Sequence, residues 1–150
     1  MSYTSLNRPE RFARERFARF LSMTTRWADN DVYGHLNNVV YFQLFDTAVN
    51  TLLIEANLLD PLKSEAIGLV AQSECAYFQS VKAPDPVEVG VAVTLLGRSS
   101  VRYRLAVFAV DAPFAAAQGG YSHVYVDRKT RRPTPIPDDH RQALADLIRD

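Results

Sequence analysis

The densest cluster of chemistry-bearing side chains in this sequence is one short run, Arg26-Trp27-Ala28-Asp29-Asn30-Asp31-Val32-Tyr33-Gly34-His35-Leu36-Asn37-Asn38. It holds two carboxylates, one imidazole and three amides. A helical pattern starts directly after it, at Val39. The first turn of a helix has N–H groups without internal partners and a positive dipole end, so it favours negative charge. A carbonyl resting on such N–H groups is polarised. A carboxylate to its side then attacks the carbon, or activates water to do so. Asp31 is the candidate for that carboxylate. Each residue of the run also has a plain structural reading. Asp31 suits a turn before a helix, and Asp29 suits a brace paired with Arg26. Gly34 supplies a positive φ or a close approach, and Asn37 or Asn38 suits a helix N-cap. His35 taken alone is a hydrogen-bonded loop histidine.

The elements that must position this run follow from periodicity. Leu21, Met23, Thr25 and Trp27 alternate with Ser22, Thr24 and Arg26, which predicts a first strand leading into the loop. From Val39 to Leu59 the period becomes helical, with a narrow polar stripe at Gln43, Asp46/Thr47, Asn50 and Glu55. A helix apolar on most sides must be buried on most sides; Pro61 closes it. Tyr41 and Phe45 are core or pocket wall, and Asp46 is expected as a satisfied buried acid. Gly68 to Gln79 reads as a mixed strand, Val87 to Leu95 and Val101 to Ala109 alternate strictly, and Ala115 to Asp127 is a last strand. Gly119-Gly120 marks a bulge or a close backbone approach in it. Asp138 is expected to cap a short final helix with Ala143, Leu144, Leu147 and Ile148 on one face. The sum is one α+β domain over residues 1–150, a long helix wrapped by a curved five-stranded antiparallel sheet. Residues 1–20 form an N-terminal arm, whose arginine-rich part is expected as a solvated surface. Residues 137–150 hold the final helix. Two open sheet edges and one uncovered face favour pairing with a second copy.

Composition narrows the function classes. The 150 residues carry 17 Lys+Arg against 17 Asp+Glu, so the formal charge is zero, which argues against a whole-chain nucleic-acid or anionic-membrane binder. Cys75 is the one cysteine, so no intrachain disulfide forms, and it reads as a small packed residue. His35, His123 and His140 lie far apart, so no dedicated metal site is expected. The apolar helix holds too many polar residues for a membrane span. No targeting signature leads the chain, and a cytoplasmic location is expected.

The pattern Arg26-x-x-Asp29-x-Asp31-x-x-Gly34-His35-x-Asn37-Asn38-x-x-Tyr41, followed by an apolar helix with Asp46, resembles the hotdog-fold acyl-CoA thioesterases of the 4-hydroxybenzoyl-CoA thioesterase type. The resemblance runs over about residues 20 to 136. It includes the Val87-Glu88-Val89-Gly90 strand start, the Gly97-Arg98-Ser99-Ser100 turn, and the stretch from Val126 to Pro133. It implies a hotdog fold and hydrolysis of an acyl-CoA to free acid and coenzyme A. It implies that Asp31, the second acid of the pair, is nucleophile or general base, and that the backbone N–H near Asn38 polarises the carbonyl. His35 joins them in the site, and Tyr33, Gly34, Asn37 and Tyr41 bind substrate. Arg128, Lys129 and Arg131, with Arg98 at the turn, are candidates for the coenzyme A phosphates. No separate cofactor is expected, because coenzyme A is part of the substrate. The expected assembly is a homodimer or a dimer of dimers. Two other readings share this scaffold: a non-catalytic acyl-CoA or acyl-carrier binder, and an enoyl-thioester hydratase.

Overall fold

In the computed structural model, residues 9–150 are described; the part of the expected N-terminal arm before Pro9 lies outside them. The chain runs through β1 (Arg19–Met23), α1 (Val40–Glu55), β2 (Ala66–Tyr77), β3 (Val87–Leu96), β4 (Ser100–Ala109), β5 (Ala117–Asp127) and α2 (Asp138–Ala145). All five strands form one sheet in the order β1-β3-β4-β5-β2, and every neighbouring pair is antiparallel. The α+β expectation of one long helix against five antiparallel strands holds.

The inner face of the sheet carries Val87, Val89, Val91 and Val93 of β3, Val101, Tyr103, Leu105 and Val107 of β4, and Tyr121 and Tyr125 of β5. Against them α1 buries Val40, Tyr41, Leu44, Phe45, Ala48, Val49 and Leu53, positions that recur at one helical turn. Its polar stripe at Gln43, Asp46 and Thr47 is exposed. Asp46 is therefore not the buried acid expected; its carboxylate accepts from the Asn50 side chain at 3.1 Å on the open side of the helix. The helix also ends earlier than Leu59. Asn57 takes a left-handed φ of 58°, the Leu58 N–H reaches back to the Leu53 carbonyl at 2.9 Å, and the Asn57 N–H to Ile54 at 3.0 Å. This double closure is the Schellman arrangement, which stops a helix before any proline is met.

Three further expectations change. β1 stops at Met23, because the Arg26 N–H bonds the Asp29 carboxylate at 2.8 Å and turns the chain, leaving Trp27 78% exposed. The arginine-rich arm is not a solvated surface. Phe12, Phe17 and Phe20 cover the outer face of the sheet over Ala92, Ala106, Phe108 and Ala115, with ring centroids 5.5 to 6.2 Å apart. Arg14 bonds Glu88 at 2.7 Å and lies over the Phe108 ring. Gly90 makes the room, since a Cβ there would stand 2.9 Å from the Phe17 ring. Finally, Asp138 does not cap α2: Pro137 precedes the helix, and Asp138 lies in its first turn without a capping bond.

The glycine pair of β5 is a close approach and not a bulge. Its register runs unbroken past both neighbours. A Cβ at Gly119 would fall on the Glu74 carbonyl oxygen, and one at Gly120 on that of Tyr103. The irregularities lie elsewhere, between Val70 and Gln72 in β2 and between Val93 and Leu95 in β3.

His123 is buried on the inner face beside Tyr121, ring centroids 4.7 Å apart, and among the described residues its Nδ1 has no partner. Burial pushes its pKa down from 6.5 to about 4. Between these values the unfolded chain binds a proton that the folded chain does not, so stability falls as the pH falls through this window. His123 alone accounts for a loss of up to about 3 kcal/mol, complete near pH 4. Urea unfolding of wild type and His123→Phe across pH 4 to 7 is expected to show a shallower slope in the variant; parallel curves refute this assignment.

Candidate active site

The loop between β1 and α1 is built by side chains that hold backbone. Asp29 is the first brace. Its carboxylate accepts from the Arg26 N–H at 2.8 Å and from the Arg26 guanidinium at 2.9 Å, and these bonds hold its pKa below the usual carboxylate value. Asn30 is the second. Its amide bonds the Ala83 carbonyl at 3.2 Å and its oxygen accepts the Ala83 N–H at 2.9 Å, tying the loop to the segment before β3. The chain then folds back on itself, with Asp31 N–H to His35 O at 2.7 Å and Gly34 N–H to Asp31 O at 3.1 Å. Gly34 sits at φ 83°, the left-handed conformation expected of it. Leu36 is buried and donates to the Val81 carbonyl at 2.7 Å, which seats the loop on the segment before β3.

This framework leaves the Asp31 carboxylate half-buried and aimed. Its Oδ1 accepts the Tyr33 N–H at 2.9 Å and the His35 N–H at 3.3 Å. The turn reading of Asp31 is thus true, and it orients the group: one oxygen is held by the loop. Asp31 lines a cleft of about 310 Å³ together with His35, Leu36, Asn38, Tyr41 and Tyr77. The start of α1 forms one wall. The Asn37 side-chain oxygen accepts the Val39 N–H at 3.2 Å, an Asx turn leading into the helix; the N-cap itself is Val39, not Asn37 or Asn38 as expected. Among the described residues the Asn38 N–H has no acceptor. Asp31 and Asn38, whose N–H has no acceptor among the described residues, line one cleft, a pairing suited to attack on a carbonyl whose oxygen gains charge.

The structure brings together Asp31, His35, Asn38 and Tyr41 of the expected site. Gly34 shapes the loop and lines the adjoining cleft with Trp27 and Lys82 on the other side of Asp31. Tyr33 is 81% exposed and outside the Asp31 cleft, and the Asn37 side chain is spent on the Val39 N–H. The basic residues are not brought to this site within one chain. Asp127, just before them, pairs with Ala66 at the start of β2, whereas Tyr77 at the other end of β2 touches Asn38. That separation is roughly 35 Å of strand. Arg128 is committed to the carbonyls of Pro61 and Ser64, and Lys129 and Arg131 are exposed in the turn beyond. Arg98 lies with them at the β3–β4 turn, its carbonyl accepting the Ile136 N–H at 2.9 Å.

Sequence reasoning missed Tyr77. Its hydroxyl donates to the Asn38 carbonyl at 2.9 Å, and its ring meets Tyr41 edge-on at 5.1 Å. The contact joins residues 39 apart in sequence, so no local motif announces it. Cys75, two residues before it, is half-buried; burial pushes its thiol up to about 11, so it stays protonated and is a poor nucleophile.

With this geometry in place, the comparisons with known proteins are direct. The chain belongs to the thioesterase-like superfamily, whose family model matches residues 25–144. It superposes on the crystal structure of the PA5185 protein from Pseudomonas aeruginosa strain PAO1 with a TM-score of 0.91 and 48% identity, covering 94% of this chain and 99% of that one. A thioesterase from Thermus thermophilus, solved in complex with coenzyme A and Zn, gives a TM-score of 0.72 and 29% identity over 89% of this chain and 96% of that one. The uncharacterized protein YsmA of Bacillus subtilis (strain 168) is 26% identical over 85 residues, and the match spans 57% of each chain. The hotdog thioesterase expectation holds.

The bracing reading of Asp29 has a measurable consequence. Asp29→Asn is expected to lower stability at pH 7 by about 1 kcal/mol, through loss of its charge-assisted bonds. Because the pKa is held low in the folded state, the stabilisation is present above 3.8 and fades as the pH falls below it. Urea titrations at pH 7 and pH 3 check both parts, and equal stabilities at pH 7 overturn the brace.

Proposed function

We propose that this protein is an acyl-CoA thioesterase that cleaves an acyl-CoA to free acid and coenzyme A. The observation that carries the reading is that Asp31 lines one cleft with Asn38, whose N–H at the head of α1 has no acceptor among the described residues. The thioester oxygen lies on that N–H, where the helix dipole favours the charge it gains. Asp31 acts on the carbonyl carbon by one of two routes. As nucleophile it forms an anhydride, expels the thiolate and is released by water. As general base it takes a proton from water, whose oxygen attacks, and the departing thiolate regains that proton. The thiolate is a good leaving group, so neither route demands a strong acid. His35 lines the cleft beside the carboxylate. The reaction as written uses no cofactor beyond the coenzyme A of the substrate, and the reading goes with a cytoplasmic location. Coenzyme A bound to the Thermus thermophilus relative supports the substrate class.

The assembly belongs to the same proposal. β2 pairs only with β5, so its other edge is open, and Leu69 and Val70 on it are 41% and 48% exposed. Trp27, Val32 and Val39 around the Asp31 loop are 78%, 93% and 57% exposed, an apolar collar that calls for cover. Antiparallel pairing of two β2 edges about a two-fold axis sets the start of one β2 beside the end of the other. The partner's Arg128, Lys129 and Arg131, with the partner's Arg98, then approach the Asp31 end of this chain. In that homodimer, alone or paired into a dimer of dimers, the basic residues reach the coenzyme A phosphates across the interface.

A panel of short, long and aromatic acyl-CoAs, followed by release of free thiol, tests the activity. Wild type is expected to release thiol, and Asp31→Asn, folded as wild type, to lose a hundredfold or more in turnover. Equal turnover in Asp31→Asn overturns the assignment, and tight binding without release points to the non-catalytic binder. Sedimentation equilibrium at micromolar concentration is expected to give at least twice the chain mass; a single-chain mass overturns the cross-interface site.

A further inference from the structure

The start of α1 is irregular in a way that the site requires. In a regular helix the Asn38 carbonyl accepts the N–H four residues on, that of Phe42. Here the Phe42 N–H goes instead to Val39 at 3.2 Å, and the Val40 N–H to Asn37 at 2.9 Å, so the first turn is wound tightly and the Asn38 carbonyl, just ahead of the N-cap Val39, has no helical partner. The hydroxyl of Tyr77 stands in for it, donating at 2.9 Å.

We propose that Tyr77 is a positioning residue for the oxyanion donor: its hydroxyl holds the peptide that follows Asn38 so that the Asn38 N–H faces the cleft. The proposal rests on the thioesterase reading of the same site. The Asn38–Val39 peptide is gripped on both sides, its carbonyl by Tyr77 and its N–H by the Asn37 side chain at 3.2 Å. The Asn37 N–H is fixed on the Asp29 carbonyl at 2.9 Å. Between these anchors the Asn38 N–H has no acceptor among the described residues and is left to a ligand. A donor to a developing oxyanion works only when its aim is set in advance, within about half an ångström. The Tyr77 ring is itself set by its edge-on contact with Tyr41, which is buried at 3% exposure one residue into α1. Burial also raises the Tyr77 ionisation well above its ordinary value, so the hydroxyl keeps its proton and stays a donor at every pH at which the enzyme works. Tyr77 ends the edge strand β2, so the aim of the donor is tied to the strand proposed above as the dimer seam.

Tyr77→Phe keeps the ring and deletes one hydroxyl. On an acyl-CoA that wild type cleaves, kcat is expected to fall by about tenfold with KM within about twofold, because the lost alignment acts in the transition state. An unchanged kcat in the folded variant overturns the proposal. So does a raised KM at constant kcat, which marks a contact with substrate instead. Amide hydrogen exchange gives a readout independent of catalysis: residues 38–42 are expected to exchange faster in Tyr77→Phe than in wild type, with the rest of the sheet unaltered. If wild type cleaves no thioester, the thioesterase reading fails and exchange alone judges the clamp. Unaltered protection of residues 38–42 then overturns it, and faster exchange upholds it.

Discussion

The site depends on one constraint: the head of a buried helix whose first amides are rationed. Helix starts carry donors that must find acceptors or water. In this chain the loop that precedes α1 supplies acceptors for several of them. The Asn37 side chain takes the Val39 N–H, the Asn37 carbonyl takes that of Val40, and Asp29 takes that of Asn37. The Asn38 N–H remains, in the same cleft as a carboxylate that is itself held by two loop amides. The loop cannot drift, because Asn30 and Leu36 fasten it to the segment before β3, and α1 cannot drift, because Phe45, Ala48 and Val49 are buried against the sheet.

Much of this was legible in the chain itself. The alternation of valines in β3 and the turn-to-turn recurrence of apolar residues in α1 follow from burial on one face, and both leave a periodic trace. The Asp-x-Asp-x-x-Gly-His-x-Asn-Asn run is compact, so its members stay neighbours once folded. What escaped was of two kinds. Some signals were local but ambiguous. Asn57, which ends α1 by going left-handed, looks in sequence like one more polar residue on the helix, and Pro61 a few residues later is the louder mark. The arm from Pro9 to Phe20 reads as charge because arginines dominate it, although Phe12, Phe17 and Phe20 do its packing. Other signals had no local form at all. Tyr77 meets Asn38 only through the register of the sheet, and the basic turn after β5 lies far from Asp31 for the same reason.

The arm also alters the balance of exposed surface. A two-layer domain with a helix on one face leaves the other face wet unless something covers it. Here the aromatic arm covers part of that face over small residues, Ala92, Ala106 and Gly90, which are small because rings lie on them. The open edge of β2 and the apolar collar of the loop are among the surfaces left without cover. Both adjoin the cleft.

The irregularity at Ala71 has a larger effect than its size suggests. Side chains along a strand take turns between the two faces, so a single inserted residue exchanges the faces for all that follow. Before it, Gly68 and Val70 stand opposite the inward-facing Tyr125 and His123; after it, Ser73, Cys75 and Tyr77 stand opposite Tyr121, Gly119 and Ala117. With Ala71 missing from the count, the tyrosine would be turned to the arm's side of the sheet, its hydroxyl on the wrong side of the molecule from Asn38. The odd residue in the border strand is what gives the helix head its tyrosine.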